Sequence, residues 1–381
     1  MKKKLTIGFF TDTYTPQING VVSSIEVFYR ELVKLGHEVI IFAPKVGKAR
    51  DSKNIIRFRA FKFVFQPEYY ISVPFNRFML NKFWKQQLDL VHAHTPFSLG
   101  HLGLYYAQIK KVPFVYTYHT NYAEYVKSYV FKGKVLTPKM VAKLNATFCN
   151  RVNMNIAPSE KIEKLLKSYG VKRPIEVLPT GIKPELFKKP QNNKFRKDFK
   201  IAKDEKVLLF VGRLGKEKNI GFIIKSFALL KNQPKGKLVI VGDGPRKKYL
   251  EGLAKNLKIE DKVVFTGYIE NKFVKKAYWA SDIFLFSSKT ETQGMVILEA
   301  GICGLPIVAV KDPAFTLMLR DGQNGYLTRE NQKDFSQAIL KILKNKKLDQ
   351  RMSLNSKKIA REYTIAKQTK RLVKIYQGLL R

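Results

Sequence analysis

The chain alternates short apolar runs with longer amphipathic runs, and this alternation restarts once. In the first half, Leu5–Phe10 is predicted as a buried strand and Val21–Leu35 as a helix that ends at Gly36. In the second half, Lys206–Val211 is predicted as a strand and Gly221–Lys231 as a helix. Repeated strand–helix units are typical of a parallel sheet covered by helices on both faces. The sequence therefore predicts an α/β protein with two Rossmann-like domains.

The same alternation of short apolar and longer amphipathic runs predicts the remaining strands and helices. Further strands are predicted at Glu38–Phe42, Leu88–His92, Phe114–Tyr118, Asn155–Pro158, Lys237–Val241, Val263–Phe265, Ile283–Phe286 and, as the last strand, Pro306–Val310. Further helices are predicted at Pro96–Lys110, Ser159–Tyr169, Lys247–Leu257, Val296–Cys303 and, as the last helix, Tyr363–Leu380.

The segment Pro179–Lys206 is rich in Pro, Lys and Asn and lacks a steady period, which favours a linker. The expected domains are residues 1–182 and 183–362, and helix 363–381 could pack back on the first. Paired domains of this kind place a ligand in a cleft where the carboxyl ends of both sheets face it.

Charge restricts the expected partners. The 381 residues include 71 Lys and Arg against 30 Asp and Glu, a formal net charge of +41. Such an excess favours a polyanionic partner, either nucleic acid or an anionic membrane, although a general lysine bias would also produce it. The two cysteines, Cys149 and Cys303, lack metal-ligand spacing and fit a reducing compartment.

Apolar runs of membrane-spanning length are absent from the sequence. The apolar start is interrupted by Thr11-Asp12-Thr13, which favours a first strand over a signal peptide. The expected location is cytoplasmic, and peripheral on the inner face of the cell membrane.

Two polar loops follow predicted strands. Asn19-Gly20 precedes a helix, where free amide groups suit a phosphate, although an ordinary loop would look the same. Arg213 and Lys218 follow the first strand of the second half, where two cations suit a pyrophosphate. The stretch Gly242-Asp243-Gly244-Pro245 is interpreted as an ordinary turn, with an indirect role in shaping the cleft as the alternative. No GxGxxG or P-loop motif is present.

The segment Thr290–Glu299 is the most informative. Glu291 follows a strand, Gly294 allows the chain to turn into a helix, and Glu299 lies within that helix. The first amide groups of such a helix suit an anion or a sugar hydroxyl, and the two carboxylates suit hydroxyls of two sugars.

These motifs together resemble the GT-B fold retaining glycosyltransferases of family 4, whose signature is Glu, seven residues, Glu. The resemblance covers essentially the whole chain and implies the following roles. Arg213 and Lys218 hold the donor diphosphate, Glu291 the donor sugar and Glu299 the ribose. Gly294 and Met295 support the sugar, and Asn19, Gly20 and Tyr268 also contact the donor. His119 lies near the donor sugar, so His119, Arg213, Lys218 and Glu291 are the implied catalytic residues.

The chemistry of these groups suits a sugar–phosphate cleavage. Negative charge develops on the leaving diphosphate, and preorganised cations and helix N-termini stabilise it. No Asp-x-Asp motif is present, so metal-independent catalysis without a cofactor is expected.

The stretch Arg57–Lys85 has ten aromatic residues, six Lys or Arg and one acidic residue among its 29. This mixture suits an anionic membrane surface. The alternatives are an ordinary strand in which Phe61, Phe63 and Phe65 face a core, or single-stranded nucleic acid binding. The residues assigned to acceptor or membrane contact are Asp12, Arg57, Arg59, Phe61, Lys62, Phe63, Phe65, Phe83 and Trp84.

Thr290-Glu291-Thr292-Gln293-Gly294 and the loop from Asp12 to Val22 further resemble the bacterial diacylglycerol glucosyltransferases. This implies UDP-glucose as donor, diacylglycerol as acceptor, an α-linkage, and an anionic lipid as a potential activator, without nucleic acid as a partner. The alternatives are another lipid or a saccharide acceptor, UDP-galactose as donor, or a non-catalytic basic binding protein.

Overall fold

Two parallel sheets organise the chain, as seen in its computed structural model. The chain divides into one unit of Met1–Gly181 with Ile365–Arg381 and a second unit of Ile182–Thr364. The residues described are 4–63, 66–73, 77–124, 137–230 and 235–381, and the side chains of 63, 66–69, 77–79 and 271 are not described.

The first unit contains a seven-stranded parallel sheet and a separate antiparallel hairpin. Its strands are β1 (Thr6–Phe10), β2 (Glu38–Pro44), β3 (Ile55–Phe58), β4 (Ala60–Phe63), β5 (Gln66–Ser72), β6 (Leu90–Ala93), β7 (Phe114–Thr117), β8 (Met154–Ala157) and β9 (Ile175–Val177). The sheet order is β3-β2-β1-β6-β7-β8-β9, and β4 pairs with β5. Its helices are α1 (Gly20–Lys34), α2 (Arg77–Trp84), α3 (Ser98–Lys110), α4 (Pro138–Cys149) and α5 (Glu160–Ser168).

The second unit contains a six-stranded parallel sheet. Its strands are β10 (Lys206–Val211), β11 (Gly236–Val241), β12 (Val263–Gly267), β13 (Ile283–Phe286), β14 (Ile307–Val310) and β15 (Gly325–Thr328), in the order β12-β11-β10-β13-β14-β15. Its helices are α6 (Phe195–Asp198), α7 (Ile220–Ala228), α8 (Lys247–Asn256), α9 (Asn271–Trp279), α10 (Met295–Cys303), α11 (Gln332–Leu343) and α12 (Lys346–Glu362). Helix α13 (Ile365–Leu379) belongs to the first unit.

The strands of the first sheet are apolar on both faces because helices cover both faces. In β1, Phe9 packs in the cluster that includes α1 and the C-terminal helix α13. Phe10 lies in the opposite cluster, where its ring stacks on Phe42 with centroids 4.4 Å apart. The C-terminal helix contributes Leu372 and Tyr376, both buried, to the first cluster. The predicted α/β class with two Rossmann-like parallel sheets is confirmed.

Each sheet reverses its strand order at one point. In the first sheet the reversal lies between β1 and β6, and in the second between β10 and β13. The loops after such neighbouring strands diverge to opposite faces of the sheet and leave a crevice for ligands. Asn19 follows β1, Arg213 and Lys218 follow β10, and Glu291 follows β13.

Two expectations about the second unit are wrong. The segment Pro179–Lys206 is packed, since Phe195 and Ile201 lie in the core, and the Arg196 guanidinium donates to the Ala280 carbonyl at 2.9 Å. The helices within Pro179–Lys206 are single turns, which are too short to show a hydrophobic period in the sequence. The last strand is β15 and not β14. The sequence pattern did not predict β15 because it is a short edge strand with two half-buried residues.

Glycines allow two strand-end loops of the second unit to touch through their backbones. The Leu214 amide donates to the Asp243 carbonyl at 2.9 Å, and the Gly212 amide donates to the Val241 carbonyl at 3.0 Å. Gly242 has φ +137°, and a Cβ there would lie 2.0 Å from the Gly212 carbonyl oxygen. A side chain at Gly242 would therefore force the two loops apart.

Gly242→Ala is expected to lower the free energy of unfolding by about 3 kcal/mol, because it adds both backbone strain and a steric clash. Urea denaturation followed by circular dichroism measures this. Gly252→Ala is the matched control: Gly252 lies within α8 with no atom within 4 Å of its Cβ position. The control is expected to raise stability by about 0.5–1 kcal/mol. Equal effects of the two replacements would contradict the backbone contact.

Candidate active site

The loop after β10 is attached to the loop after β13. The Ser287 hydroxyl donates to the carbonyl oxygens of Lys218 and Asn219, at 2.8 and 3.0 Å. The Ser288 hydroxyl donates to the Glu217 carbonyl at 3.3 Å. Both serines are fully buried. These bonds fix the short 3-10 turn Lys216–Lys218 at the point where the sheet order reverses.

Lys218 and Glu291 form an ion pair across this crevice. The Lys218 ammonium donates to the Glu291 carboxylate, and both side chains are mostly buried. Arg213 comes first in the same loop, directly after Gly212, and is exposed. The sequence assigned Lys218 to a diphosphate and Glu291 to a sugar, and the structure places these two side chains in direct contact.

Helix α10 is preceded by Gly294, whose φ of +79° lies in the left-handed region. No side chain caps this helix start, so the positive end of the helix is left for an anion. Gln293 is buried, and its side-chain amide donates to the Met295 sulfur at 3.0 Å. The segment between Glu291 and α10 is thus fixed by local bonds.

Glu299 lies on α10 and accepts a hydrogen bond from the Tyr278 hydroxyl at 2.7 Å. Burial raises the pKa of Glu299, and the bond from Tyr278 lowers it in part. Tyr278 is fully buried on α9 and holds one carboxylate oxygen in place. Tyr268 follows β12, and 62% of it is exposed.

In the first unit, the loop after β1 holds Asn19 and Gly20. The Asn19 side chain caps α1 by accepting from the Val22 amide at 2.9 Å, and it donates to the Thr13 hydroxyl at 2.8 Å. Gly20 is exposed, with nothing within 4 Å of its Cβ position. The backbone at the start of α1 is therefore open to a ligand.

Three histidines form a row across β6 and the loop after β7. His94 Nδ1 lies 3.0 Å from His119 Nε2, so one nitrogen donates and the other accepts. His92 bonds the Tyr376 hydroxyl of α13 at 2.6 Å and the Thr117 hydroxyl at 2.7 Å. Burial lowers the pKa of His119 to about 4, so its imidazole is neutral near pH 7.

Two family matches together span most of the chain. The family described as Glycosyltransferase Family 4 matches residues 18–186, and Glycosyl transferases group 1 matches residues 191–359. Alpha-monoglucosyldiacylglycerol synthase of Streptococcus pneumoniae is 38% identical over 89% of this chain and 78% of that protein. The synthase of the same name in Acholeplasma laidlawii is 30% identical over 99% of this chain and 98% of its own length. The chain belongs to glycosyltransferase family 4.

The glycosyltransferase also resembles solved structures of GT-B enzymes. Anabaena HepE in complex with UDP-glucose superposes with a TM-score of 0.76 at 18% identity, over 98% of this chain and 100% of that one. At this identity the likeness shows the fold alone. The predicted GT-B glycosyltransferase family is confirmed.

Three of the residues assigned to acceptor or membrane contact are buried, so for them contact with a membrane surface is wrong. The Arg57 guanidinium donates to the carbonyls of Pro44 and Arg50 at 3.0 and 3.1 Å. The Phe83 ring is fully buried 5.3 Å from that of Phe42. Asp12 is buried and accepts from the hydroxyls of Ser98 and Thr95 at 2.6 and 2.7 Å.

The other residues of that set are placed differently. Arg59, Phe61 and Lys62 are exposed on and beside β4, and Trp84 is half-buried against Tyr106. Phe63 belongs to β4, but its side chain is not described, and Phe65 lies outside the described residues.

Several residues that order the site had not been selected from the sequence. Ser287, Ser288 and Tyr278 hold Lys218 and Glu299 in place, and His94 bonds His119. The serine pair directly after a strand was the one available signal. Tyr278 and His94 are paired by tertiary contacts, which a single sequence does not reveal.

Membrane-spanning helices and clusters of metal-ligating side chains are absent from the residues that the structure describes. No helix there is both long enough and apolar enough to cross a membrane. No group of three or more His, Cys, Asp or Glu side chains there is arranged to hold a metal ion.

Stability of the first unit is expected to fall as the pH is lowered from about 6.5 towards 3. Burial lowers the pKa of His92 from 6.5 to about 3, with a smaller effect from His119. Between these values the unfolded chain binds a proton that the folded chain does not. His92→Gln is expected to reduce the slope of unfolding free energy against pH by about 1.4 kcal/mol per unit.

Urea denaturation at a series of pH values between 4 and 7 measures this slope. His101→Gln, which removes an exposed imidazole, is the matched control. A slope that both replacements change equally would contradict the assignment to the buried histidine row.

Proposed function

We propose that the protein transfers glucose from UDP-glucose to diacylglycerol with retention at the anomeric carbon, at the cytoplasmic face of a membrane. The likeness to two synthases of monoglucosyldiacylglycerol carries this proposal, since one of them is 38% identical over 89% of this chain. Anabaena HepE, which shares the fold, has been solved with UDP-glucose. The second unit has the groups that such a donor requires.

The donor diphosphate is proposed to bind at the loop after β10 and the start of α10. Arg213 and Lys218 supply positive charge there, and the uncapped start of α10 adds the positive end of a helix. As the sugar–phosphate bond breaks, negative charge grows on the diphosphate, and these fixed charges stabilise it. We propose that they replace a metal ion in this role.

Because Lys218 and Glu291 form an ion pair, the donor is proposed to contact Lys218 first and Glu291 second. A diphosphate competes with Glu291 for the Lys218 ammonium. Once Lys218 turns to the phosphate, the Glu291 carboxylate is available to accept hydrogen bonds from sugar hydroxyls. Glu299, held by Tyr278, is proposed to accept from the ribose hydroxyls. Neutral His119 is proposed to contact the donor sugar.

The hairpin β4–β5 is proposed to meet the membrane. Phe61 pairs across the strands with Ile71, and these side chains are 66% and 49% exposed. Arg59 and Lys62 are exposed cations beside them. Exposed apolar side chains flanked by cations suit the interface of a bilayer that contains anionic lipid.

Phe61→Ser with Ile71→Ser is expected to weaken binding to vesicles containing anionic phospholipid roughly tenfold, because apolar area no longer leaves water. Vesicle sedimentation at constant salt measures it. Leu144→Ser with Leu354→Ser removes two other exposed side chains, 62% and 68% exposed, as the matched control. Equal loss in both double variants would contradict the role of the hairpin.

Transfer of radiolabelled glucose from UDP-glucose to diacylglycerol in mixed vesicles tests the whole proposal. The expected product is a labelled glycolipid with an α-linkage, formed faster when anionic lipid is present. Glu291→Ala is expected to reduce the rate at least a hundredfold, while vesicle binding is retained. Glu251→Gln, at an exposed position of α8, is the control with unchanged rate.

Donor hydrolysis without a glycolipid product would support the proposed donor site but exclude diacylglycerol as the acceptor. Another lipid or a saccharide would then be the acceptor. Transfer from UDP-galactose alone would contradict the proposed donor. Full activity of Glu291→Ala would exclude the mechanism proposed for the ion pair.

A further inference from the structure

A groove of about 830 Å³ lies on the helical face of the second unit, where α7, α8 and α11 meet. Its lining comes from α7, including Gly221 and Lys225, and from the starts of α8 and α11. None of Arg213, Lys218, Glu291 and Glu299 lines it. The groove therefore excludes the side chains proposed to bind the donor, although Gly215, Lys216 and Asn219 of the loop after β10 line it.

Four cationic side chains surround this groove, namely those of Lys216, Lys225, Arg246 and Lys333. None of them has a carboxylate partner among the residues that the structure describes. The one acidic residue of the lining, Glu330, is already engaged: it pairs with Lys289 and accepts from the Asn219 side chain at 2.8 Å. The groove thus carries excess positive charge that its own carboxylate does not neutralise.

The start of α7 adds to this charge. Asn219 precedes the helix in the left-handed conformation, and no side chain caps the helix start. The Asn219 side chain is turned instead to Glu330. Ile220 and Gly221, whose amide groups open the first turn, line the groove. An anion there would meet the positive end of the helix together with the cations.

The groove also offers exposed apolar surface. Tyr249 is 50% exposed and Leu229 is 42% exposed. The Arg246 guanidinium lies over the Tyr249 ring, 3.7 Å from its centroid, and is held in one orientation by it. A volume of this size fits an organic molecule rather than a bare inorganic ion. The lining therefore suits a ligand with one anionic end and a carbon-containing part.

We propose that this groove is a second binding site, for a phosphate ester. Lys216, Lys225, Arg246 and Lys333 with the start of α7 bind the phosphate, and Tyr249 and Leu229 contact the carbon-containing part. Two sources share this chemistry, the headgroup of an anionic phospholipid and a soluble phosphorylated metabolite. Lys216 belongs to the same 3-10 turn as Lys218, so a ligand bound at Lys216 contacts the loop proposed to hold the donor diphosphate.

Titration calorimetry on the full chain tests this site with two probes: glycerol 3-phosphate, and dihexanoylphosphatidylglycerol below its micelle concentration. Each titration is run with and without excess UDP, so that binding at the donor site is recognised by its loss. Saturable binding of at least one probe in the presence of UDP is expected. Binding of glycerol 3-phosphate alone would identify a soluble phosphorylated ligand. Binding of the lipid alone would identify a phospholipid headgroup.

Lys225→Gln with Lys333→Gln is expected to weaken this binding roughly tenfold or more, since two charged contacts to phosphate are lost. Lys255→Gln with Lys344→Gln makes the same charge change at exposed positions outside the groove, on α8 and at the end of α11. This control is expected to bind as wild type. Circular dichroism of both variants checks folding.

Three results would overturn the proposal: no saturable binding of either probe to wild type in the presence of UDP, equal weakening in the two double variants, or unchanged binding in Lys225→Gln with Lys333→Gln. Equal weakening would show that only the net charge of the protein attracts the probes.

Discussion

The site of the second unit depends on close backbone contact between loops at the carboxyl ends of parallel strands. The loop after β10 lies against the loop after β11 because Gly242 has no side chain, and it is attached to the loop after β13 by Ser287. Neighbouring parallel strands end at one edge of the sheet, so their loops have to share limited space. Arg213 and Lys218 are therefore carried on a loop whose position is set from both sides.

The ion pair between Lys218 and Glu291 links this geometry to the proposed chemistry. An ammonium and a carboxylate that are both mostly withdrawn from water stabilise each other. A donor with a diphosphate and a sugar offers each of them a new partner of suitable charge. The pair holds both groups at the crevice, and the proposed contacts with the donor replace it.

Local patterns predicted what depends on short stretches of sequence. Strand β10 and helix α10 follow from apolar runs and from Gly294. The same pattern places Glu291 before this helix and Glu299 within it. The features that the sequence did not predict depend on tertiary packing. Phe195 is buried although its segment has no hydrophobic period. The Arg57 guanidinium donates to the carbonyls of Pro44 and Arg50 instead of facing a membrane. Tyr278 and Glu299 meet because two helices pack side by side.

Titration calorimetry of UDP and of UDP-glucose against wild type and Glu291→Gln tests the roles proposed for Lys218 and Glu291 most directly. The replacement is expected to weaken the binding of UDP-glucose roughly tenfold, because contacts to the sugar are lost. UDP is predicted to bind as well as before or more tightly, because Lys218 no longer has a competing carboxylate. Equally weakened binding of UDP and UDP-glucose, or unchanged binding of UDP-glucose, would contradict the proposed roles of Lys218 and Glu291.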